Sequence, residues 1–122
     1  VAMENSPKSC PTPEKLLAYV AKLGRPNIRP MVDTTEVREA GGVPYEFLAA
    51  APPCHLHISD FKGEDKHLPA GEGDTDFSAV ARELSGYEGL YTLEPAYRYY
   101  IEDVEKKLLK GYAFLERTFP NE

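Results

Sequence analysis

The feature that most constrains this chain is a strand pattern followed by a helix pattern, repeated four times in 122 residues. The segments expected to form strands are residues 1–4, 27–33, 54–60 and 90–94. Helical patterns follow them over residues 13–23, 44–51, 77–84 and 97–118. Such alternation indicates an α/β fold with parallel strands joined by right-handed helical crossovers. Because a complete (β/α)8 barrel has eight such units in about 250 residues, the chain is predicted to form half of one, as a single domain over residues 1–122.

Local signals set the expected element boundaries. Thr12 is a suitable N-cap, Pro13 fits the first helical position, and Gly24 suits the end of the same helix. Asp76 is the expected cap of the third helix, and the longest irregular stretch, 61–75, precedes it. Loops of that length in a compact domain are typically either functional or disordered. The last helix is expected to bury an apolar stripe that consists of Ile101, Val104, Leu108, Tyr112 and Leu115.

Charge and hydropathy narrow the classes of partner. The chain has 20 acidic and 14 basic residues and a net charge of −6, whereas nucleic acid and anionic lipid favour basic surfaces. No apolar run approaches the roughly 18 residues that span a bilayer. The two cysteines, Cys10 and Cys54, suit a reducing compartment. We therefore expect a cytoplasmic protein that binds neither a membrane nor nucleic acid.

The alternation of side chains along each strand places one chemical group at each of four strand ends. In the third strand Leu56 and Ile58 suit the side that faces the helices, which leaves His57 on the opposite face. The same parity directs three carboxylates to that face near the carboxyl ends of the other strands, where ligands gather in parallel α/β folds. These residues are Glu4, Asp33 and Glu94.

Three carboxylates and one imidazole suit a divalent ion such as Mn²⁺, Mg²⁺, Co²⁺ or Zn²⁺. Without a cation the three carboxylates would repel one another, and each pKa would rise. The sequence therefore predicts a site for one divalent metal ion. The alternative for any single member is that it pairs with a basic group or caps a helix.

Several motifs resemble one family over nearly the whole chain. They are Met3-Glu4-Asn5, Val32-Asp33-Thr34, His55-Leu56-His57-Ile58-Ser59-Asp60 and, as the most specific signature, the segment from Asp65 to Gly73 followed by Asp76-Phe77 and Tyr87-Glu88-Gly89. The family is that of the xylose isomerase-like TIM barrels, which includes sugar and sugar-phosphate isomerases and epimerases and the apurinic endonuclease family 2. The chain resembles the fifth to eighth βα units of that barrel.

The resemblance implies a function and roles for four residues. In epimerase-like members the positions of Glu4, Asp33, His57 and Glu94 are metal ligands, and Glu4 and Glu94 also exchange the proton of the substrate carbon from opposite faces. We therefore expect a metal-dependent isomerase or epimerase of carbohydrate metabolism that acts on a sugar, a sugar phosphate or a related polyol, or a lyase on the same barrel. The alternative activity is metal-dependent phosphodiester hydrolysis, as in the endonuclease branch.

Four further residues are candidates for substrate binding. Many family members carry a histidine where this chain has Glu36, which is either a substitute ligand or a charge at a helix N-terminus. That difference counts against the multi-zinc site of the endonucleases. Asp65 and His67 match zinc-holding residues of that branch, or line a loop over the pocket. Lys62 is placed to reach a sugar oxygen or phosphate, or is a solvated side chain, and His55 is expected to be a satisfied core residue.

Half a barrel leaves two unpaired edge strands and an open interior. Three arrangements complete it: a missing N-terminal half, a second copy in a homodimer, or a different chain. The start at Val1 is interpreted as a cut through the middle of a barrel. A truncated half barrel without activity is the remaining hypothesis.

Overall fold

The computed structural model describes residues 1–119 and has the expected α/β architecture. Its elements follow in the order β1 (Ala2–Glu4), α1 (Pro13–Leu23), β2 (Arg29–Asp33), α2 (Thr34–Glu39), α3 (Pro44–Ala50), β3 (His55–Ile58), β4 (Asp60–Lys62), β5 (Asp65–Leu68), α4 (Phe77–Glu83), β6 (Leu90–Leu93) and α5 (Val104–Thr118). The main sheet has the strand order β1-β2-β3-β6, and each neighbouring pair is parallel. The predicted fold class is therefore confirmed.

The core lies between this sheet and the helices. Val32, Leu56 and Ile58 are completely buried among helical side chains such as Leu16 and Val80. Each such side chain contributes roughly 1.5–3 kcal/mol on burial. Since strand side chains alternate, the burial of these three directs Asp33 and His57 to the opposite face of the sheet.

The local signals for two helices are confirmed. The Thr12 hydroxyl accepts a hydrogen bond from the Lys15 amide at 3.4 Å, and Gly24 ends α1 with a φ of 59°. A φ in this range favours glycine because it has no Cβ. The Asp76 carboxylate accepts from the Ala79 amide at 2.9 Å and so caps α4.

Two segments depart from the predicted elements. Residues 34–39 form α2, which the sequence pattern did not indicate, because the Asp33 side chain caps a helix that starts directly at the strand end. The stretch 61–75 is not wholly irregular, since β4 and β5 pair as an antiparallel ribbon. The predicted third strand accordingly ends at Ile58, and Asp60 begins the ribbon.

The last helix also differs from its prediction. A 3₁₀ turn, Tyr97–Tyr99, precedes α5, so the expected helix over 97–118 is interrupted. Four members of the expected buried stripe are exposed, and only Leu115 packs against the core. The helix instead meets the rest of the chain through the buried Gly111 and through Phe114, whose ring lies 5.3 Å from that of Phe77.

A buried carboxylate organises the segment after the ribbon. Asp60 is 1% exposed. Its two oxygens accept hydrogen bonds from four backbone amides, those of Phe61, Gly71, Gly73 and Thr75. A Cβ at Gly73 would lie 2.4 Å from Asp60 Oδ1, so the close approach requires glycine. This arrangement fixes the loop that leads from the sheet edge back to α4.

Candidate metal centre

The four predicted metal ligands meet at the carboxyl edge of the main sheet. One donor atom from each of Glu4, Asp33, His57 and Glu94 lies within 4.8 Å of the others. His57 Nδ1 is 2.7 Å from Glu94 Oε2, 3.4 Å from Glu4 Oε1 and 3.9 Å from Asp33 Oδ2. The structure therefore brings all four side chains together around one imidazole nitrogen.

Strand register explains this convergence. Asp33 pairs with His57 across β2 and β3, and His57 pairs with Thr92 across β3 and β6. Glu94 follows two residues later, and its amide donates to the Ile58 carbonyl at 3.0 Å. In parallel strands residues at the same height and of the same parity share one face, so four separate strands present their groups to one point.

Asp33 is the buried member of the set. Its Oδ1 accepts from the amides of Thr35 at 2.7 Å and Glu36 at 3.0 Å, which makes it the N-cap of α2. Its Oδ2 is buried and has no hydrogen-bond partner among residues 1–119. Burial raises the pKa of Asp33 to about 8, and the neighbouring carboxylates of Glu94 and Glu4 add to the shift.

The two glutamates are accessible. Their side chains are 42% and 47% exposed for Glu4 and Glu94 respectively. Burial is the largest cause that raises the pKa of Glu4; the nearby His57 opposes the shift, while Glu94 and Glu36 add to it. Both glutamates line an open cavity of about 460 Å³ above the sheet edge.

These observations fit a divalent cation. An unpartnered buried carboxylate oxygen costs free energy that a cation removes. Three oxygen donors and one imidazole nitrogen match the preferences of Mn²⁺, Co²⁺ or Zn²⁺. The backbone amides at the start of α2 also orient the Asp33 carboxylate. Metal-binding carboxylates in proteins are usually oriented by hydrogen bonds of this kind.

Two of the four substrate-binding candidates line the same cavity. His67 Nε2 lies 3.3 Å from Glu36 Oε1, and His67 Nδ1 lies 3.1 Å from the hydroxyl of the buried Ser59. His67 has a φ of 51°, unusual for a residue with a side chain, and its carbonyl accepts from the Ala96 amide at 2.7 Å. The ribbon therefore holds His67 beside Glu36 at the rim of the metal centre.

The other two candidates lie elsewhere on the ribbon. Lys62 and Asp65 are exposed and form one of its cross-strand pairs, outside the cavity lining. Asp65 accepts a 3.5 Å hydrogen bond from the Tyr99 hydroxyl. His55, one layer below His57, has its Nε2 atom 2.8 Å from the Thr92 hydroxyl, as expected for a satisfied histidine.

The fold and the site agree with one family. A family model described as xylose isomerase-like TIM barrel matches residues 1–118. The chain belongs to this family. The match includes nearly every described residue, so the four convergent side chains all lie in the part of the chain that the family model covers.

Solved structures of the same fold span twice the length of this chain. A D-tagatose 3-epimerase-like protein matches with 26% identity and a TM-score of 0.78, over 96% of this chain and 45% of that protein. A D-psicose 3-epimerase matches with 16% identity and a TM-score of 0.82, over 98% and 49%. The IOLI protein with a binding zinc atom matches with 19% identity and a TM-score of 0.76, over 97% and 48%. A comparison with curated protein sequences gave no significant match.

This xylose isomerase-like chain thus corresponds to about half the length of the structures it resembles. Among residues 1–119, β1 and β6 each have a strand neighbour on one side only. Within the same described part of the chain, no helix has the length and apolar character needed to cross a membrane.

The sequence did not predict the contacts that two residues make near the site. Asn5 is 2% exposed and bonds to the backbone of Asp33, and Asp60 anchors the loop that follows the ribbon. Both belong to the family-like motifs, Asn5 directly after Glu4 and Asp60 at the end of the third-strand motif. Their positions in those motifs were the only sequence feature that could have indicated a role near the site.

Proposed function

We propose that this protein is a divalent-metal-dependent epimerase or isomerase acting on a sugar or a related polyol. The observation that carries the proposal is the convergence of Glu4, Asp33, His57 and Glu94 beside an unpartnered buried carboxylate oxygen. Membership of the xylose isomerase-like family and the match to a D-tagatose 3-epimerase-like protein support it. The proposed metal ligands are these four residues, with Mn²⁺, Mg²⁺, Co²⁺ or Zn²⁺ as the ion.

The two glutamates are the proposed catalytic residues. Glu4 and Glu94 come from the two outer strand ends of the main sheet, and their carboxylates lie 3.4 Å and 2.7 Å from His57 Nδ1. Both line the cavity, whereas Asp33 is completely buried and is suited to ligation alone. When bound, a divalent ion supplies Lewis-acid stabilisation of charge that develops on substrate oxygens.

The two glutamate carboxylates of the chain carry out the proposed proton transfer. One glutamate takes the proton from a substrate carbon next to a carbonyl, and the other returns a proton to the opposite face of that carbon. The Glu94 amide donates to the Ile58 carbonyl at 3.0 Å, and this hydrogen bond holds the Glu94 backbone at the end of β6. Glu36 and His67 stand at the cavity rim, where they are proposed to accept and donate hydrogen bonds to substrate hydroxyl groups.

Replacement of Glu94 by glutamine is expected to lower exchange of solvent deuterium into a ketose substrate by about 10²- to 10⁴-fold, the usual contribution of a general acid or base. Exchange is followed by proton NMR in D₂O with candidate ketoses, and the metal content of each sample is measured in parallel. Glu83→Gln, an exposed carboxylate on α4, is the matched control and should exchange at the wild-type rate.

Three results would contradict this proposal. Full exchange activity in Glu94→Gln at equal metal content would remove Glu94 from the reaction. Cleavage of DNA containing abasic sites, without exchange into any ketose, would instead favour the phosphodiesterase. Wild-type protein that retains no metal would support a half barrel without activity.

We further propose that a second set of four βα units closes the barrel, as an N-terminal half, as a second copy of this chain or as a different chain. The solved structures are about twice as long, and both edge strands lack an outer neighbour among residues 1–119. Apolar side chains are exposed on the two outer helices that flank these edges. They are Leu17, Tyr19 and Leu23 on α1, and Val104, Leu108, Leu109 and Tyr112 on α5.

The mass in solution is expected to exceed that of one 122-residue chain. Burial of the exposed apolar faces and pairing of the open strand edges both favour association. Light scattering coupled to size-exclusion chromatography measures the mass. A stable monomer of this chain would contradict closure by a second copy or by a separate partner, and Leu108→Glu on α5 is expected to weaken any association.

A further inference from the structure

We infer that Asn5 is a positioning residue for the metal centre, one that fixes the distance between the ligands Glu4 and Asp33; this inference rests on the proposed function. Asn5 is 2% exposed and follows Glu4 directly. Its Oδ1 accepts from the Asp33 amide at 2.7 Å, and its Nδ2 donates to the Asp33 carbonyl at 3.3 Å. One carboxamide thus occupies both backbone hydrogen-bonding groups of a ligand residue.

The sheet alone does not supply this connection. The pairing between β1 and β2 covers three residue pairs and ends where Glu4 meets Met31, two residues short of Asp33. The backbone of Asn5 reaches no further, since its amide donates to the Met31 carbonyl at 3.3 Å. Beyond that point the Asn5 side chain replaces the missing strand pairing between the ends of β1 and β2.

The rest of the local structure shows what Asn5 controls. The Asp33 carboxylate is oriented by the amides of Thr35 and Glu36, so the remaining freedom lies in the position of its backbone relative to β1. On the other side, the Cys10 thiol donates to the Glu4 carbonyl at 3.3 Å. Asn5 therefore joins two separately ordered segments, each of which carries one carboxylate.

This arrangement has a consequence for metal binding. A ligand set held at its working separation binds more tightly than one that must be assembled on binding. Loss of such outer contacts typically lowers metal affinity by about 10- to 100-fold. We expect an effect of this size because both side-chain hydrogen bonds of Asn5 go to the Asp33 backbone, so that Asn5 acts on the ligand through its main chain.

The experiment measures Co²⁺ or Mn²⁺ affinity by calorimetric titration, together with the visible absorption of bound Co²⁺. Asn5→Ala removes both hydrogen bonds, whereas Asn5→Asp keeps the acceptor for the Asp33 amide. Val80→Ala, in the core on α4, is the control for general loss of stability. Val80 is fully buried and packs on the helix side of the sheet, opposite the quartet that consists of Glu4, Asp33, His57 and Glu94. Unfolding by urea is measured on every variant.

The expected result is a 10- to 100-fold weaker affinity and an altered Co²⁺ spectrum for Asn5→Ala, a smaller loss for Asn5→Asp, and wild-type affinity for Val80→Ala. Should Asn5→Ala not fold, the comparison of Asn5→Asp with Val80→Ala decides the question. Affinity within about threefold of wild type in the Asn5 variants, or an equal loss in Val80→Ala, overturns the role of Asn5 alone. A wild-type protein that binds neither metal overturns the proposed function and the role of Asn5 together.

Discussion

Replacement of His57 by alanine is expected to lower the affinity for Co²⁺ or Zn²⁺ by more than about 100-fold. Loss of a residue that only hydrogen-bonds to a metal ligand already lowers metal affinity by about 10- to 100-fold, and His57 is itself a proposed ligand. His57 Nδ1 lies within 3.9 Å of a carboxylate oxygen of each of the other three residues of the centre. Its removal leaves only oxygen donors, which these borderline ions bind less well than a mixed set. Metal content after dialysis and calorimetric titration measure the loss.

His55→Ala is the matched control for this substitution. His55 lies on the same strand and the same face, but its Nε2 atom bonds to the Thr92 hydroxyl and it is not part of the quartet. It is expected to retain about one ion per chain with near wild-type affinity. Equal metal loss in both variants, or none in His57→Ala, would contradict the assignment of the centre.

The part of the site that was predictable from the sequence follows from strand parity. Leu56 and Ile58 face the helices, so His57 faces the other way, and the same rule places Glu4, Asp33 and Glu94. Parity needs only approximate strand bounds, because a side chain's face depends on its spacing from buried neighbours. The strand predicted over 27–33 begins two residues later, yet Asp33 remains at its end.

Contacts between distant parts of the chain were not predictable in this way. The partner of Asn5 is 28 residues away, and the amides that bind Asp60 extend to position 75. No pattern of polar and apolar residues encodes such pairs, since they depend on how separate loops meet after the sheet has formed. The helix α2 was missed for a related reason, because Asp33 serves at once as a strand end and as a cap.

For the last helix, the sequence pattern predicted an apolar face correctly but predicted its burial wrongly. Its apolar stripe has a regular helical spacing, yet Val104, Leu108 and Tyr112 are exposed among the described residues. Periodicity predicts that a face is apolar, but it does not identify the surface that covers it. The contact with β6 depends instead on Gly111, where a Cβ would lie 3.0 Å from Leu93. The exposed stripe is therefore available to the second half barrel that we propose.

The metal-free protein is expected to lose stability as pH rises from about 4 to about 8. The pKa of Asp33 is about 8 in the folded chain, against an ordinary value of 3.8, so within this window the folded state holds a proton that the unfolded state has released. Unfolding is then favoured by rising pH. Asp33 alone contributes at most about 1.4 kcal/mol per pH unit, and its contribution levels off above the folded pKa. The raised pKa of Glu4 acts in the same direction.

Asp33→Asn is expected to remove most of this dependence and to raise the metal-free stability at pH 8, while abolishing stabilisation by added metal. Asparagine keeps an oxygen that can cap α2, so the helix start survives and the buried charge is lost. Urea unfolding at pH 5 and pH 8, with EDTA and then with Mn²⁺ or Co²⁺, measures both effects. Wild-type protein should gain stability from metal, and the gain should grow with pH because ligands must lose protons to bind.

Asp76→Asn provides the matched control, since Asp76 also caps a helix but is exposed and lies outside the quartet. This variant should stay within about 0.5 kcal/mol of wild type and keep both the pH dependence and the response to metal. A wild-type stability that rises between pH 5 and pH 8 without metal would contradict this prediction, because the unfolded state would then bind more protons than the folded state. If Asp33→Asn were still stabilised by Mn²⁺ as strongly as wild type, the ion would bind elsewhere. Within residues 1–119, Asp33 is the only one of the four proposed ligands with a side-chain oxygen that is buried and has no hydrogen-bond partner.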